Sequence, residues 1–371
     1  MEGSVAPAAA EGNKQFPCKQ CGARITYAPG TKVLKCPYCG SETQIPQSEA
    51  QIEELDFRSF LEQAAKEHET LEDQRVKCET CGAETTMPPQ VAAAACPFCG
   101  ANLLLKTRQS RLLAPKALLP FKITQEQGFE DFRRWINGLW FAPGDLKQYA
   151  RAEGRLAGIY VPYWTYDSDT TSFYRGERGD NYWETETYTV NENGRLVTRT
   201  RQVTRTRWTH VSGTVCNRFD DVLVLASNSL PRQYADKLEP WDLSNLVPYA
   251  DEYLSGFRAE SYQVDLAAGF DIARKIMDEG IRESVRRDIG GDHQRIASVK
   301  SSYDKIKFKH ILLPVWLSAY SFRDRVYRIL INARTGELQG ERPYSAWKIT
   351  GAVLAAIVII AIIAIIASTK Q

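Results

Sequence analysis

Apolar residues recur with helical spacing in only a few stretches of this chain. The clearest is 266–289, where Ala273, Met277, Ile281 and Val285 form one stripe. Asp265 stands at the N-cap position and Gly290-Gly291 end the element. A second helix is expected after Thr124. Gln127, three residues on, completes a capping box, and Pro143-Gly144 is its stop. Between 48 and 74, Leu55, Phe57, Phe60, Leu61, Ala64 and Ala65 approach helical spacing amid many i,i+4 charge pairs. That reads as a solvated helix with His68 on its polar face. Residues 227–257 read as a short helix and an irregular loop punctuated by proline.

Strand patterns fill much of the remainder. Two runs resemble each other, Ile-Tyr-Val-Pro-Tyr-Trp at 159–164 and Ile-Leu-Leu-Pro-Val-Trp at 311–316. They form either a degenerate repeat or two strands with proline at its usual place, a strand start or edge. Residues 308–345 read as a two- or three-stranded meander with a turn at Thr335-Gly336. The most legible hairpin is 182–208, turning at Asn193-Gly194. It sets Val190 opposite Val197, Tyr188 opposite Arg199, Glu186 opposite Arg201 and Tyr182 opposite Arg205, with Arg195 and Arg207 on the same face. A row of arginines among aromatics suits a phosphate backbone or anionic lipid headgroups. We favour a cross-strand ladder in which Glu184, Glu186 and the tyrosines answer the arginines.

The C-terminal pattern has no period at all. Residues 349–367 carry no charge, and Thr350 is the one polar side chain among them. At 1.5 Å per residue these 19 residues span roughly 28 Å, close to the hydrocarbon thickness of a bilayer. A soluble helix keeps a polar stripe. The expectation is therefore a transmembrane helix at 348–368, flanked by Arg342, Lys348 and Lys370.

Nine cysteines change the picture further. Cys18-x2-Cys21 and Cys36-x2-Cys39 are separated by 14 residues, and Cys78-x2-Cys81 and Cys96-x2-Cys99 repeat that spacing 60 residues later. The copies also match at Gly22/Gly82, Ala23/Ala83, Thr26/Thr86, Pro29/Pro89, Pro37/Pro97 and Gly40/Gly100. Four thiolates on two hooks satisfy a tetrahedral Zn²⁺, and glycine after each second cysteine supplies the positive φ of the turn. Two structural zinc sites are expected. Disulfides would need an oxidising compartment, and the leader has no secretion signal. Rubredoxin-type hooks stand further apart, and a catalytic zinc would keep an open position. Cys216 is left over and reads as a core thiol.

Chemistry beyond zinc is not legible. There is no Gly-Lys pair and so no Walker loop, and neither HExxH nor GxSxG occurs. None of the four histidines sits in an acid–base pattern, and strand alternation predicts solvated Asp167 and Asp169. The expectation is a protein that is not an enzyme. A net charge of +2 disfavours nucleic acid as its main partner.

The paired ribbons, "LLPFKI", "YVPYW", "RTGELQGERPYS" and the terminal span, in that order, resemble the YdjG-like bacterial double zinc-ribbon membrane proteins. These are encoded beside phage-shock and SPFH (flotillin-like) proteins and are often labelled TFIIB-type zinc-finger or primosomal/helicase relatives. The resemblance implies a membrane-anchored adaptor that docks SPFH or PspA-like partners at the cytoplasmic face of the cell membrane. The alternative is a nucleic-acid-binding zinc-ribbon protein of replication type. The expected fold class is α+β: a disordered leader at 1–15, zinc ribbon 1 at 16–46, a helical linker at 47–75, zinc ribbon 2 at 76–106, a mostly antiparallel α+β domain at 107–345, and the single-pass span.

Overall fold

The computed structural model describes residues 16–48, 51–64, 70–77, 84–87, 93–95, 102–104, 109–146, 156–192, 195–323 and 325–368. The expected leader, His68, Cys78, Cys81, Cys96, Cys99 and the Asn193-Gly194 turn lie outside them. The first cysteine unit is a small antiparallel sheet of β1 (Thr26–Tyr27), β2 (Val33–Lys35) and β3 (Glu42–Gln44). It is followed by β4 (Leu55–Asp56) and α1 (Phe57–Ala64). The second unit comprises β5 (Thr70–Lys77), β6 (Glu84–Met87), β7 (Ala93–Ala95), β8 (Asn102–Leu104) and β9 (Gln109–Leu113). Its hairpin reproduces the first: Val33↔Gln44 and Lys35↔Glu42 recur as Ala93↔Leu104 and Ala95↔Asn102.

The main body begins with β10 (Ala117–Leu118) and α2 (Gln125–Gly138). Two very long strands follow, β11 (Ala157–Glu192) and β12 (Arg195–Leu225), then a one-turn helix α3 (Arg232–Ala235). Short strands β13 (Val247–Pro248) and β14 (Arg258–Ala259) precede α4 (Leu266–Ile289). The chain closes with β15 (His293–Phe322), β16 (Arg325–Asn332), β17 (Leu338–Gly340) and α5 (Ala346–Ser368). The principal sheet runs β12-β11-β15-β10-β13, with β4, β14, β16 and β17 at its margins. The fold is α+β and mostly antiparallel; β10–β15 and β11–β14 are its parallel pairs.

The two proline-bearing runs pair with each other at the sheet's centre. Tyr160↔Pro314, Val161↔Leu313 and Pro162↔Leu312 form a local two-fold arrangement. Neither proline is at a strand start or edge, which removes the second of the two readings and leaves the degenerate repeat open. Each instead faces a gap where the neighbouring strand changes. The Tyr160 and Pro162 carbonyls accept N–H groups of Glu260 and Ala226, and those of Leu312 and Pro314 accept N–H groups of Leu119 and Ala333. A strand residue's N–H points to the same side as its C=O, so each absent N–H would have entered the gap between two partners. Nothing there requires a donor.

Around this pairing the sheet is buried on both faces. Tyr160, Leu312 and Trp316 pack with Phe121, Phe132 and the first cysteine unit, whereas Ile159, Val161 and Leu313 pack with Leu230, Leu238 and Trp241. Further along, α4 covers one face. Its Asp265 cap accepts the Ala268 N–H at 2.8 Å, and Gly290 ends it at φ 65°. The expected stripe of Ala273, Met277, Ile281 and Val285 is fully buried. Hydrogen bonds fix the helix at both ends, Tyr166 Oη to the Leu266 carbonyl at 2.7 Å and Tyr174 Oη to Asp288 at 2.6 Å.

Two local expectations change. Among the described residues the helix expected at 48–74 covers Phe57–Ala64, after β4 and before β5. Arg58, Ser59, Leu61 and Glu62 are exposed, as expected of a solvated helix, but its aromatic side is packed. Phe57 and Phe60 pack on Phe308, and Phe57 also on Tyr166 and Phe270. Asp56 accepts the Ser59 N–H and starts the helix late. The Thr124–Gln127 capping box is formed, but α2 stops at Gly138 and not at Pro143-Gly144. Leu139, Ala142 and Leu146 leave the helix to enter the core.

A Cβ at Gly269 would fall 2.4 Å from Tyr166 Oη and 2.9 Å from Trp164 Cδ1. Gly269→Ala is expected to cost about 1–3 kcal/mol by forcing α4 off the sheet. Urea unfolding in mild detergent measures it, and an unchanged midpoint would contradict the close packing.

Candidate metal centre

The first cysteine unit builds two identical hooks. Gly22 N–H donates to the Cys18 carbonyl and Gly40 N–H to the Cys36 carbonyl, at 2.9 and 3.0 Å, with φ of 74° and 73° at the two glycines. The hooks bring the four sulfurs within 4.8 Å of one another. Cys18–Cys39 and Cys21–Cys36 approach to 3.5 Å. Bonds of 2.3 Å to a tetrahedral centre give sulfur–sulfur edges of about 3.8 Å, so the set fits one metal ion. All four are free thiols in this arrangement, Cys18 and Cys36 buried and Cys21 and Cys39 exposed.

Ser41 adds a feature that the cysteine pattern did not reveal. Its hydroxyl lies 3.0 Å from Cys18 Sγ, and together with the Cys21 and Gln20 amides it pulls that thiol down to about 6. A ligand cysteine must be a thiolate, so the hydroxyl favours the competent form. The equivalent position in the second unit is Ala101. No signal in one sequence marks Ser41.

This unit is joined firmly to the main body. Tyr27 N–H donates to the Ser255 carbonyl, Ser255 Oγ returns a bond to the Ile25 carbonyl, and Gly30 N–H reaches the Phe121 carbonyl. The Tyr27 hydroxyl donates to Phe121 and Thr31, and its ring meets Tyr253 edge-on at 5.2 Å. Cys18, Ile25, Leu34 and Cys36 consequently belong to the same apolar core as Leu118 and Tyr320.

Other candidates resolve into structural roles. Cys216 is exposed on β12, not in the core as expected. Its strand position alternates outward on the face that α4 leaves uncovered. Asp167 is half-buried, not solvated. It shares a carboxylate group with Glu54 and Asp220, all within 4.8 Å. Lys307 and Lys309 reach Glu54 at 3.1 and 3.2 Å, and Lys309 reaches Asp221 at 2.7 Å. The two ammoniums already supply the positive charge, and the group pins β4 to the sheet where β11 and β12 slip register. His310 is buried with Nδ1 3.0 Å from the Leu113 carbonyl, and burial pushes it down to about 4, leaving it neutral.

The arginine hairpin has the expected register throughout, from Tyr182↔Arg205 to Val190↔Val197. Arg201 pairs with Glu186 at 2.8 Å and Arg205 with Glu184 at 2.9 Å, while Arg201 and Arg207 stack on Tyr188 and Tyr182. At the other end of the sheet, α5 is long and apolar enough to cross a membrane by length and composition, and none of that stretch is buried in the protein.

A likeness to a known protein extends over most of the chain. Over 335 residues, 90% of this chain and 91% of the other, the sequence is 24% identical to a Bacillus subtilis (strain 168) protein described as uncharacterized protein YdjG. This chain is similar to YdjG. No family model and no solved structure matches it.

Two measurements test these sites. Cys36→Ser is expected to lower bound metal by one ion per chain in elemental analysis and to raise protease sensitivity around Phe121, because Cys36 lies in the shared core. Asp167 is pushed up to about 6, chiefly by burial, with Glu54 adding repulsion. The folded protein holds this proton more tightly than the unfolded chain, where the group titrates near 4. Its stabilising contribution is complete below that value and is lost as pH rises through about 6. Asp167→Asn retains an acceptor for the Asp221 N–H. The variant is expected to melt at or above wild type at pH 7.5, with that advantage shrinking towards pH 4.5.

Proposed function

We propose that the protein is a membrane-anchored zinc-ribbon adaptor that docks cytoplasmic partner proteins at the inner membrane face. The supporting observation is the pairing of an unburied, wholly apolar terminal helix with a body that offers a long solvent-exposed hairpin. From Asp180↔Arg207 to Glu192↔Arg195 this hairpin is two-stranded, about 40 Å long at 3.3 Å per residue. No described residue between 181 and 207 is buried. A two-stranded ribbon is marginal in water by itself, and a partner strand or surface would complete it.

Zinc fits the first site because a closed shell of four thiolates suits a structural ion. A second zinc at Cys78, Cys81, Cys96 and Cys99 is supported by the 60-residue repeat and by the matching hairpin register of β7 and β8. Each ion would contribute on the order of 10 kcal/mol to folding its unit. The role is binding and not catalysis. The resemblance to YdjG-like proteins suggests SPFH or PspA-like partners. The nucleic-acid reading is weakened because Arg201 and Arg205 are already engaged by Glu186 and Glu184.

The experiment is detergent extraction of native membranes followed by affinity purification of the full chain. The expected result is recovery in the membrane fraction, two zinc ions per chain, and co-purification of an SPFH or PspA-like protein that is reduced by Cys36→Ser or Cys96→Ser. Purification from the soluble fraction, or salt-sensitive capture of DNA that Arg199→Ala weakens, would overturn this reading.

A further inference from the structure

The body meets the terminal helix without a spacer. Ser345 N–H donates to the Phe141 carbonyl at 2.8 Å, and Lys348 Nζ donates to the Ala142 and Trp140 carbonyls at 2.8 and 3.3 Å. The loop that follows α2 is thereby held against the first turn of α5. That loop leaves two aromatic side chains in the open, Trp140 at 80% and Phe141 at 39% exposure. Trp347 beside it is 85% exposed and Tyr344 58%. A cleft of about 680 Å³ runs between loop and helix, lined by Leu139, Trp140, Ala142, Leu146, Lys348 and Ala352.

We infer that the Trp140–Phe141 loop is a second membrane contact, seated in the headgroup layer of the bilayer that α5 crosses. The inference rests on the anchoring role proposed above. Its geometry is restrictive. The uncharged run begins at residue 349, one residue after Lys348 and four after Ser345. At 1.5 Å per residue the loop's attachment points stand within about 6 Å of the hydrocarbon boundary. The interfacial layer on each side is about 5–7 Å deep. Any placement that immerses 349–367 therefore puts Trp140 and Phe141 in that layer, where amphipathic aromatic rings are most favourable.

The polar groups agree. Lys348 has three donors, and the two carbonyls engage it in a way that leaves one for a lipid phosphate. Arg342 lies over the Tyr344 ring at 5.3 Å, and Arg323 holds Asp145 of the same loop at 3.0 Å. Lipid is the occupant because the patch is continuous with the span. It consists of exposed aromatics rimmed by cations, which is the composition of a membrane interface belt.

The test uses the full chain in liposomes of phosphatidylcholine brominated near the headgroup end of the acyl chain, with tryptophan fluorescence as the readout. Wild type, Trp140→Phe, Trp347→Phe and the double variant are compared. The expected result is a quenched component in wild type that falls in each single variant and falls further in the double. Loss in Trp347→Phe with no change in Trp140→Phe would overturn the seated loop while leaving the span intact. No quenching in any form, with the chain floating free of the vesicles, would overturn the span and the seat together.

Discussion

The antiparallel ladder between β11 and β15 runs from Ala157↔Leu317 to Gly179↔His293, and the other elements take their positions from it. β12 adds to one side, while β10 and β16 divide the other. Each handover between neighbours leaves a gap two residues wide, Val161-Pro162 on β11 and Leu313-Pro314 on β15, and a proline stands in each gap. The apolar load is carried on both faces near this point, so slipping either strand by one residue would turn its core side chains outward on one face and bury the wrong ones on the other. Trp164 and Trp316, each two residues past its proline, donate their indole N–H groups to the Val264 and Ile123 carbonyls. Those bonds tie the approach to α4 and the approach to α2 into the same ladder.

This ladder also explains why the cysteine unit is not a free-standing recognition module. Its sheet is too small to bury its own side chains, and it completes its core against Phe121, Tyr253 and Phe257. Metal in the hooks would then hold more than the hooks. Ile25 and Tyr27 reach the main body only while the strands between the hooks keep their shape. An ion in the hooks and the base of the large sheet would then form one energetic unit, although some ninety residues separate Tyr27 from Phe121 along the chain.

Much of this was legible where a local rule acts alone. The Thr124 capping box, the Asp265 cap, the α4 stripe and the hairpin register all depend on spacings of a few residues, and all took the form that those spacings dictate. The errors arose where distant residues decide. Proline at the centre of a sheet is acceptable only because of which strands end nearby, and no local pattern encodes that. Asp167 alternates as a solvated strand residue should, yet Glu54, more than a hundred residues earlier, brings β4 over it. The charges in 48–74 suggested a solvated helix, and its polar side is exposed, but the packing of Phe57 on Phe270 and of Phe60 on Phe308 was not legible. The grouping of Cys18, Cys21, Cys36 and Cys39 was readable because two short hooks carry their own geometry, whereas Ser41 was not.

The third strand of the long arm begins at His293 and the helix laid across it ends at Ile289, so both supports stop at nearly the same level. Below that level the arm is three strands wide and two layers thick; above it, a single twisted ribbon continues alone. Resistance to bending grows steeply with the width and thickness of a beam. The arm therefore behaves as a stiff mast carrying a supple pennant. Any bending load on the ribbon would be taken up near Gly179, where the third strand and the helix both end.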